Sequence, residues 1–204
     1  MRYQKIPDET VKRLPMYLRA LSFMPEQDSE FISSKDIAYL LHINSPQVRK
    51  DLSYFGAFGT RGTGYKINDL KKHVRKALKL DVTQKAVLVG AGKLGTALTS
   101  YPGFKMYGFD IAAVYDTSEK RIGKKIGSVV IENVSKLEDI KNEDIRLAIL
   151  AVPAENAQQI ADTLVACGTK GILNLAPCYL KVPKRVKVIT IDIAVELSVL
   201  PYYT

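Results

Sequence analysis

The chain of 204 residues has only two cysteines and two histidines, and no apolar run approaches the ~20 residues needed to span a bilayer. Cys167 and Cys178 lack metal-ligand spacing, and with no histidine beyond His73 to activate either, both read as reduced, buried thiols. No metal site is expected. The same scarcity of histidine leaves the region beyond residue 80 without an imidazole to donate a proton, which argues against an enzyme. Lys93 and Tyr101 are the substitutes a proton transfer would have to use. The opening Met1-Arg2-Tyr3-Gln4-Lys5 has no apolar stretch behind its charges, so a secretory signal is not expected, and a cytoplasmic protein is.

What is present divides unevenly. Residues 1–80 hold 15 Lys and Arg against 8 Asp and Glu, whereas residues 81–204 hold 15 against 13. The length suits two modest domains, 1–80 and 81–204, and the charge points to a polyanionic partner for the first.

In that first part, Val11, Leu14, Tyr17, Leu18 and Leu21 recur at helical spacing, predicting a helix from Asp8 to Phe23 that Pro15 interrupts. Ser33-Ser34-Lys35-Asp36 offers an N-cap to a short second helix holding Ile37, Ala38, Leu40 and Leu41. After a turn at His42-Ile43-Asn44, Ser45 caps a third helix with Pro46 at its first position. Val48 and Leu52 face inward there, and Gln47, Arg49, Lys50 and Ser53 form the polar side, the chemistry of a recognition helix entering a major groove. Phe58 to Tyr65 then reads as a glycine-rich hairpin with Arg61 at its tip, suited to a narrow minor groove, before Asn68 caps a basic helix from Asp69 to Leu80.

The second part opens with Ala86-Val87-Leu88-Val89, an apolar run of the kind a buried parallel strand needs, leading into Gly90-Ala91-Gly92-Lys93-Leu94-Gly95 and an apolar helix ending near Tyr101. In that context the glycines read as a dinucleotide-binding turn, with room for a pyrophosphate at the helix N-terminus. Asp116 ends a second apolar stretch, Phe109 to Tyr115, 21 positions beyond Gly95, where an acid can accept both ribose hydroxyls. A carboxylate there repels a 2′-phosphate and favours NAD⁺ and NADH over their phosphorylated counterparts, although Lys120 and Arg121 stand nearby. Further strands at Leu147–Val152, Gly171–Leu175 and Val188–Ile191 alternate with a helix at Glu155–Cys167 and a basic loop at Lys181–Lys187. This alternation predicts an α/β fold, a Rossmann-type doubly wound parallel sheet joined to a smaller, mainly helical winged helix-turn-helix domain. Ligands bind beyond the carboxyl ends of such strands, which adds Val152, Pro153, Asn174, Ala176 and Pro177 to the expected cofactor-binding set.

Val48 to Gly56, followed by Gly59-Thr60-Arg61-Gly62-Thr63-Gly64-Tyr65, closely resembles the Rex family of redox-sensing repressors. Tyr101-Pro102-Gly103-Phe104 and Leu173-Asn174-Leu175-Ala176-Pro177 extend the resemblance over nearly the whole chain. It implies a transcriptional repressor that senses the balance of NADH and NAD⁺ and releases palindromic operator DNA when NADH binds. It also implies a homodimer whose last helices are exchanged. On this reading Ser45, Gln47, Arg49, Lys50, Ser53, Tyr54, Arg61, Gly62, Gly64 and Tyr65 meet DNA. Arg19, Tyr101 and Asp192 make up the switch, with Tyr101 near the nicotinamide and Arg19 and Asp192 as partners in an ionic link. Two departures stand out: Thr117 and Ser118 follow Asp116 where relatives often carry a second acid, and Pro201 interrupts the final helix. The rival readings are a small NAD-dependent dehydrogenase or reductase, a CoA-binding domain, and a structural protein whose glycines merely tighten a βα turn.

Overall fold

A computed structural model of the protein describes residues 6–24, 30–56, 59–60 and 62–204. The chain divides into two compact units, Met1–Val82 and Thr83–Thr204.

The first unit contains helices α1 (Asp8–Ser22), α2 (Ser34–Leu40), α3 (Ser45–Ser53) and α4 (Ile67–Ala77). Short strands β1 (Phe31–Ile32), β2 (Gly59–Thr60) and β3 (Gly64–Lys66) complete it. Helix α1 runs straight through Pro15, against the expected interruption. Pro15 and Val11 both lie on its exposed face, where water can satisfy the carbonyl left without an N–H. Leu14, Tyr17, Leu18 and Leu21 are buried on the other face. The cap expected within Ser33-Ser34-Lys35-Asp36 is Ser33, which forms a reciprocal capping box with Asp36 at α2. Helix α3 differs by one residue: Asn44, not Ser45, is the cap, its carboxamide oxygen accepting from Gln47 N–H at 2.8 Å. Helix α4 begins directly after β3 at Ile67, so Asn68 lies inside it rather than capping it.

The three strands form an antiparallel sheet in the order β1-β3-β2, pairing Ile32 with Tyr65 and Thr60 with Gly64. This is a wing. Gly64 has φ +95°, and a Cβ there would collide with the Ile32 carbonyl, so the close approach of β1 to β3 requires glycine. Strand β1, only two residues long, has no sequence signature of its own.

The second unit is a seven-stranded sheet in the order β10-β9-β8-β4-β5-β7-β6. Its strands are β4 (Gln84–Val89), β5 (Phe109–Asp116), β6 (Lys125–Ile126), β7 (Val129–Asn133), β8 (Leu147–Leu150), β9 (Gly171–Asn174) and β10 (Lys187–Thr190). All neighbours are parallel except β6, which pairs antiparallel with β7 at the edge. The hairpin of β6 and β7 is an addition to the strands read from the sequence. Helices α5 (Lys93–Thr99), α6 (Pro102–Tyr107), α7 (Ala154–Ala166) and α8 (Ile193–Ser198) and a 3₁₀ helix at Val134–Glu143 complete the unit, with a second 3₁₀ turn at Leu200–Tyr203. The helix expected to end near Tyr101 is α5, which ends at Thr99, and Tyr101 is the N-terminal cap position of the next helix, α6.

Two apolar layers cover the sheet. One joins Val87, Val89 and Leu150 to Leu137 and Ile140 of the 3₁₀ helix and to Ala157, Ala161 and Leu164 of α7. The other joins Leu88, Val114 and Ile131 to Leu98 and Phe104. Cys167 is buried, whereas Cys178 is partly exposed, so the expectation of two buried thiols holds for one. Burial pushes the Cys167 thiol above its ordinary range, leaving it a poor nucleophile.

Candidate functional site

The sheet reverses its order at β4: β5 lies on one side and β8 on the other. Register aligns their carboxyl ends, because Val89 pairs with both Tyr115 and Leu150. Gly90 N–H donates to the Tyr115 carbonyl at 2.8 Å, and Ala151 N–H to the Val89 carbonyl at 2.9 Å. Gly90, Asp116 and Ala151 therefore stand side by side at a topological switch point, the place where open α/β sheets bind ligands.

A cavity of about 830 Å³ opens there, lined by Gly90, Gly92, Asp116, Val152 and Pro153 among the expected residues. Gly90 has φ +102°, and a Cβ on it would strike the Ala151 carbonyl; one on Gly95 would strike the Gly90 carbonyl. The turn and the start of α5 can therefore approach each other only without side chains. At Gly92, by contrast, a Cβ would meet nothing within 4 Å. That open space in front of the turn fits the pyrophosphate of a dinucleotide.

Asp116 is 5% exposed and already engaged. Its Oδ2 accepts from Ala91 N–H at 2.7 Å, and its Oδ1 from Ser118 N–H at 2.7 Å. The Arg121 guanidinium, itself 48% exposed, pairs with Oδ2 at 3.1 Å. A carboxylate offers about four acceptor positions, so with these three partners in place little capacity remains for the two ribose hydroxyls the spacing leads one to expect there.

The other expected cofactor residues lie off the cavity wall. Lys93 and Leu94 are exposed on α5. Asn174 is fully buried, its amide donating to the Ala176 carbonyl at 3.1 Å and the Cys178 carbonyl at 2.8 Å, while its oxygen accepts from Ala176 N–H at 3.1 Å. It shapes the loop that carries Ala176 and Pro177. Tyr101 is exposed, edge-on to Phe104 with centroids 5.6 Å apart, and its ring lies where a Cβ on Gly103 would sit. Sequence reasoning missed Ser118, Ser135, Glu138, Asn156, Gln159 and Thr163, which also line the cavity. Leu137 and Ile140, three apart, were the available signal for the 3₁₀ helix that brings two of them there.

In the first unit, Arg49, Lys50 and Ser53 are exposed together on α3. Arg49 donates to the hydroxyls of Ser34 at 3.0 Å and Ser45 at 3.3 Å, which steadies its long side chain. Tyr54 follows as the helix cap, and Gly62, Gly64 and Tyr65 belong to the wing. Arg61 lies outside the described residues. Gln47 is partly buried and turned inward to Asp51, at 2.8 Å.

Asp51 is the residue sequence reasoning overlooked. It is fully buried, and besides Gln47 it accepts from Thr10 at 2.9 Å, Tyr17 at 2.6 Å, and Arg13 Nε and Nη2 at 2.6 and 2.9 Å. Burial pushes its carboxyl up, but the hydrogen bonds from Arg13, Tyr17, Gln47 and Thr10 outweigh it and hold the pKa at about 2.

Of the three expected switch residues, Arg19 belongs to the first unit and Tyr101 and Asp192 to the second. Arg19 is exposed on α1, its guanidinium 5.8 Å from the centroid of the Phe23 ring. Asp192 caps α8, accepting from the N–H groups of Ala194 at 3.0 Å and Val195 at 3.3 Å. Among the described residues no helix is long and apolar enough to cross a membrane, and no group of three or more His, Cys, Asp or Glu could hold a metal ion.

A Rossmann-type nucleotide cavity in one unit and a winged helix with a basic exposed α3 in the other define a nucleotide-responsive DNA-binding regulator. Comparison with known proteins agrees. The model of a "CoA binding domain" matches residues 81–178, and that of a "Putative DNA-binding protein N-terminus" matches residues 5–53. The redox-sensing transcriptional repressor Rex of Carboxydothermus hydrogenoformans is 46% identical over 97% of this chain and 96% of its own. The crystal structure of RSP in complex with β-NAD⁺ and operator DNA is 35% identical, with a TM-score of 0.90 over 97% of this chain and 92% of that one. The complex of RSP with β-NADH is 33% identical, with a TM-score of 0.89 over 98% and 94%. The chain belongs to the Rex family of redox-sensing transcriptional repressors, which use the Rossmann-type fold for sensing rather than catalysis.

Proposed function

We propose that this protein is a repressor that binds a palindromic operator through α3 and the wing and releases it when NADH occupies the cavity of the second unit. The observation that carries the reading is the cavity itself: a glycine turn with open space before Gly92, next to a buried Asp116 tied to that turn through Ala91. RSP, similar over both units, binds NADH, and binds NAD⁺ together with operator DNA.

The turn from Gly90 to Gly95 receives the pyrophosphate. Asp116 takes a ribose hydroxyl on its remaining acceptor position, with Arg121 free to swing aside. Val152 and Pro153 form the wall under the middle of the dinucleotide, and the loop of Asn174, Ala176 and Pro177 borders the nicotinamide end near Tyr101. The reduced and oxidised rings differ by one charge and by planarity, so contacts there must supply the differential affinity that limits any population shift. A coupling of about 3 kcal/mol would change operator affinity roughly 150-fold.

Ser45, Arg49, Lys50, Ser53 and Tyr54 face the major groove, Gly62, Gly64 and Tyr65 bring the wing to the backbone, and Arg61 serves the minor groove. Arg19, Tyr101 and Asp192 are assigned to the switch that couples nucleotide state to the first helix. The working form is a homodimer in the cytoplasm, where the chromosome is. Its interface is the C-terminal segment, whose Ile193, Val195, Leu197, Val199 and Leu200 are all more than half exposed in the single chain. The test is binding to palindromic duplexes selected from random DNA, alone, with NADH and with NAD⁺. Release by NADH but not NAD⁺ is the expected result; NADH binding with no selected DNA would instead mark an enzyme.

A further inference from the structure

The exposed polar side of α3 is held from behind by one carboxylate. Asp51 lies next in sequence to Lys50 but points the opposite way, into the first unit, and its fully buried side chain gathers donors from two helices. Three are on α1, at Thr10, Arg13 and Tyr17, nearly two helical turns of one face. The fourth is Gln47, one turn earlier on α3. Arg13 approaches with two nitrogens, the fork geometry that fixes orientation as well as distance. The apolar contacts of Val48 and Leu52 are non-directional and would allow α3 to roll or slide. The four directional bonds that reach this carboxylate from α1 do not.

We infer that Asp51 is a positioning residue for sequence reading: by locking α3 to Thr10, Arg13 and Tyr17 of α1 it sets the angle at which Arg49, Lys50 and Ser53 meet the base edges. The inference rests on α3 being the recognition helix. It adds that Gln47, whose polarity suggests a base contact, serves inside the joint, its amide donating to Asp51 rather than to a base. Because α1 also carries Arg19, the same joint makes any displacement of α1 a displacement of the reading surface. Phosphate contacts tolerate small rotations, whereas bidentate base contacts do not, so the joint acts on specificity more than on general affinity.

The test uses the full chain, a palindromic duplex selected from random DNA by the wild-type protein, and a random duplex of equal length. Tyr17→Phe and Thr10→Val each remove one hydrogen bond with little change in volume, and Asp51→Asn removes the charge. Each single-bond variant is expected to lose about tenfold in affinity for the selected duplex, the scale of one bond to a charged group, while binding random duplex with unchanged affinity and salt slope. A purely structural role would lower the melting temperature and reduce binding to both duplexes in proportion to the unfolded fraction. If Asp51→Asn fails to fold, the two neutral variants carry the comparison. Lys50→Ala separates the two levels of argument. If it weakens binding while Tyr17→Phe and Thr10→Val select and bind DNA as wild type does, the positioning role is overturned and the recognition helix stands. If Lys50→Ala binds both duplexes unchanged, the assignment of α3 fails and the inference with it.

Discussion

Ala91 N–H donates to Asp116 Oδ2 at 2.7 Å, tying the second residue of the glycine turn to the end of the neighbouring strand. The acid that the spacing marks as a ribose ligand is therefore also a strut for the turn. Removing its charge alters both the cavity and the loop that would hold phosphate.

Asp116→Asn should accordingly cost more than one ribose contact. An amide that keeps its oxygen toward Ala91 must present its nitrogen to Ser118 N–H, donor against donor. NADH affinity is expected to fall at least about tenfold and stability by roughly 1–3 kcal/mol, read by calorimetric titration and thermal melting. Full NADH affinity in this variant would remove Asp116 from the ligand set.

Gly95→Ala places a methyl group against the Gly90 carbonyl. Because the obstacle is backbone, relief means moving α5 away from β4, at a cost of roughly 1–3 kcal/mol or more. The second unit should melt earlier and bind NADH weakly. Wild-type melting would show that the turn has slack the close contact does not suggest.

For Asp192, the choice of substitution matters because its carboxylate caps α8. Alanine would lose the cap, about 1 kcal/mol, as well as the charge. Asparagine can still accept from Ala194 and Val195 and loses only the charge. Asp192→Asn should keep NADH binding but stay on operator DNA when NADH is added, as measured by fluorescence anisotropy. Normal release would end its assignment to the switch.

Asp51 gives the first unit an acid limb. Its carboxyl sits at about 2 in the folded protein and near 3.9 in an unfolded chain. The stability it contributes, about 2 kcal/mol, is fully present above pH 4 and is lost as pH falls through 2. Denaturant unfolding followed between pH 5 and pH 2 should show this loss in the wild type and a flatter profile in Asp51→Asn. Parallel profiles would mean that other carboxylates govern the limb.

Much of the fold was legible because it depends on short-range pattern. The apolar run before Gly90, the alternation of strands and helices, the buried pair Val48 and Leu52, and the cap within Ser33-Ser34-Lys35-Asp36 are all set by residues within a few positions of one another. Where local signals competed, the reading slipped by small amounts. Asn44 outcompeted Ser45 as the cap because its carboxamide reaches Gln47 N–H, and α1 absorbed Pro15 because that residue lies on the wet face.

By itself the sequence determined the two-part architecture, the basic excess of the first part, the glycine turn at a strand end and the acid 21 residues beyond it, since backbone sterics and periodicity act locally. Only the tertiary structure decided which polar groups are spent internally. That Asp51 is buried among α1 donors 34 to 41 residues away, that Ala91 already occupies Asp116 from 25 residues away, and that Ser135 and Glu138 reach the cavity from a 3₁₀ helix all depend on long-range packing. A charged side chain's role follows from the partners burial forces on it, and those partners meet only when the chain has folded.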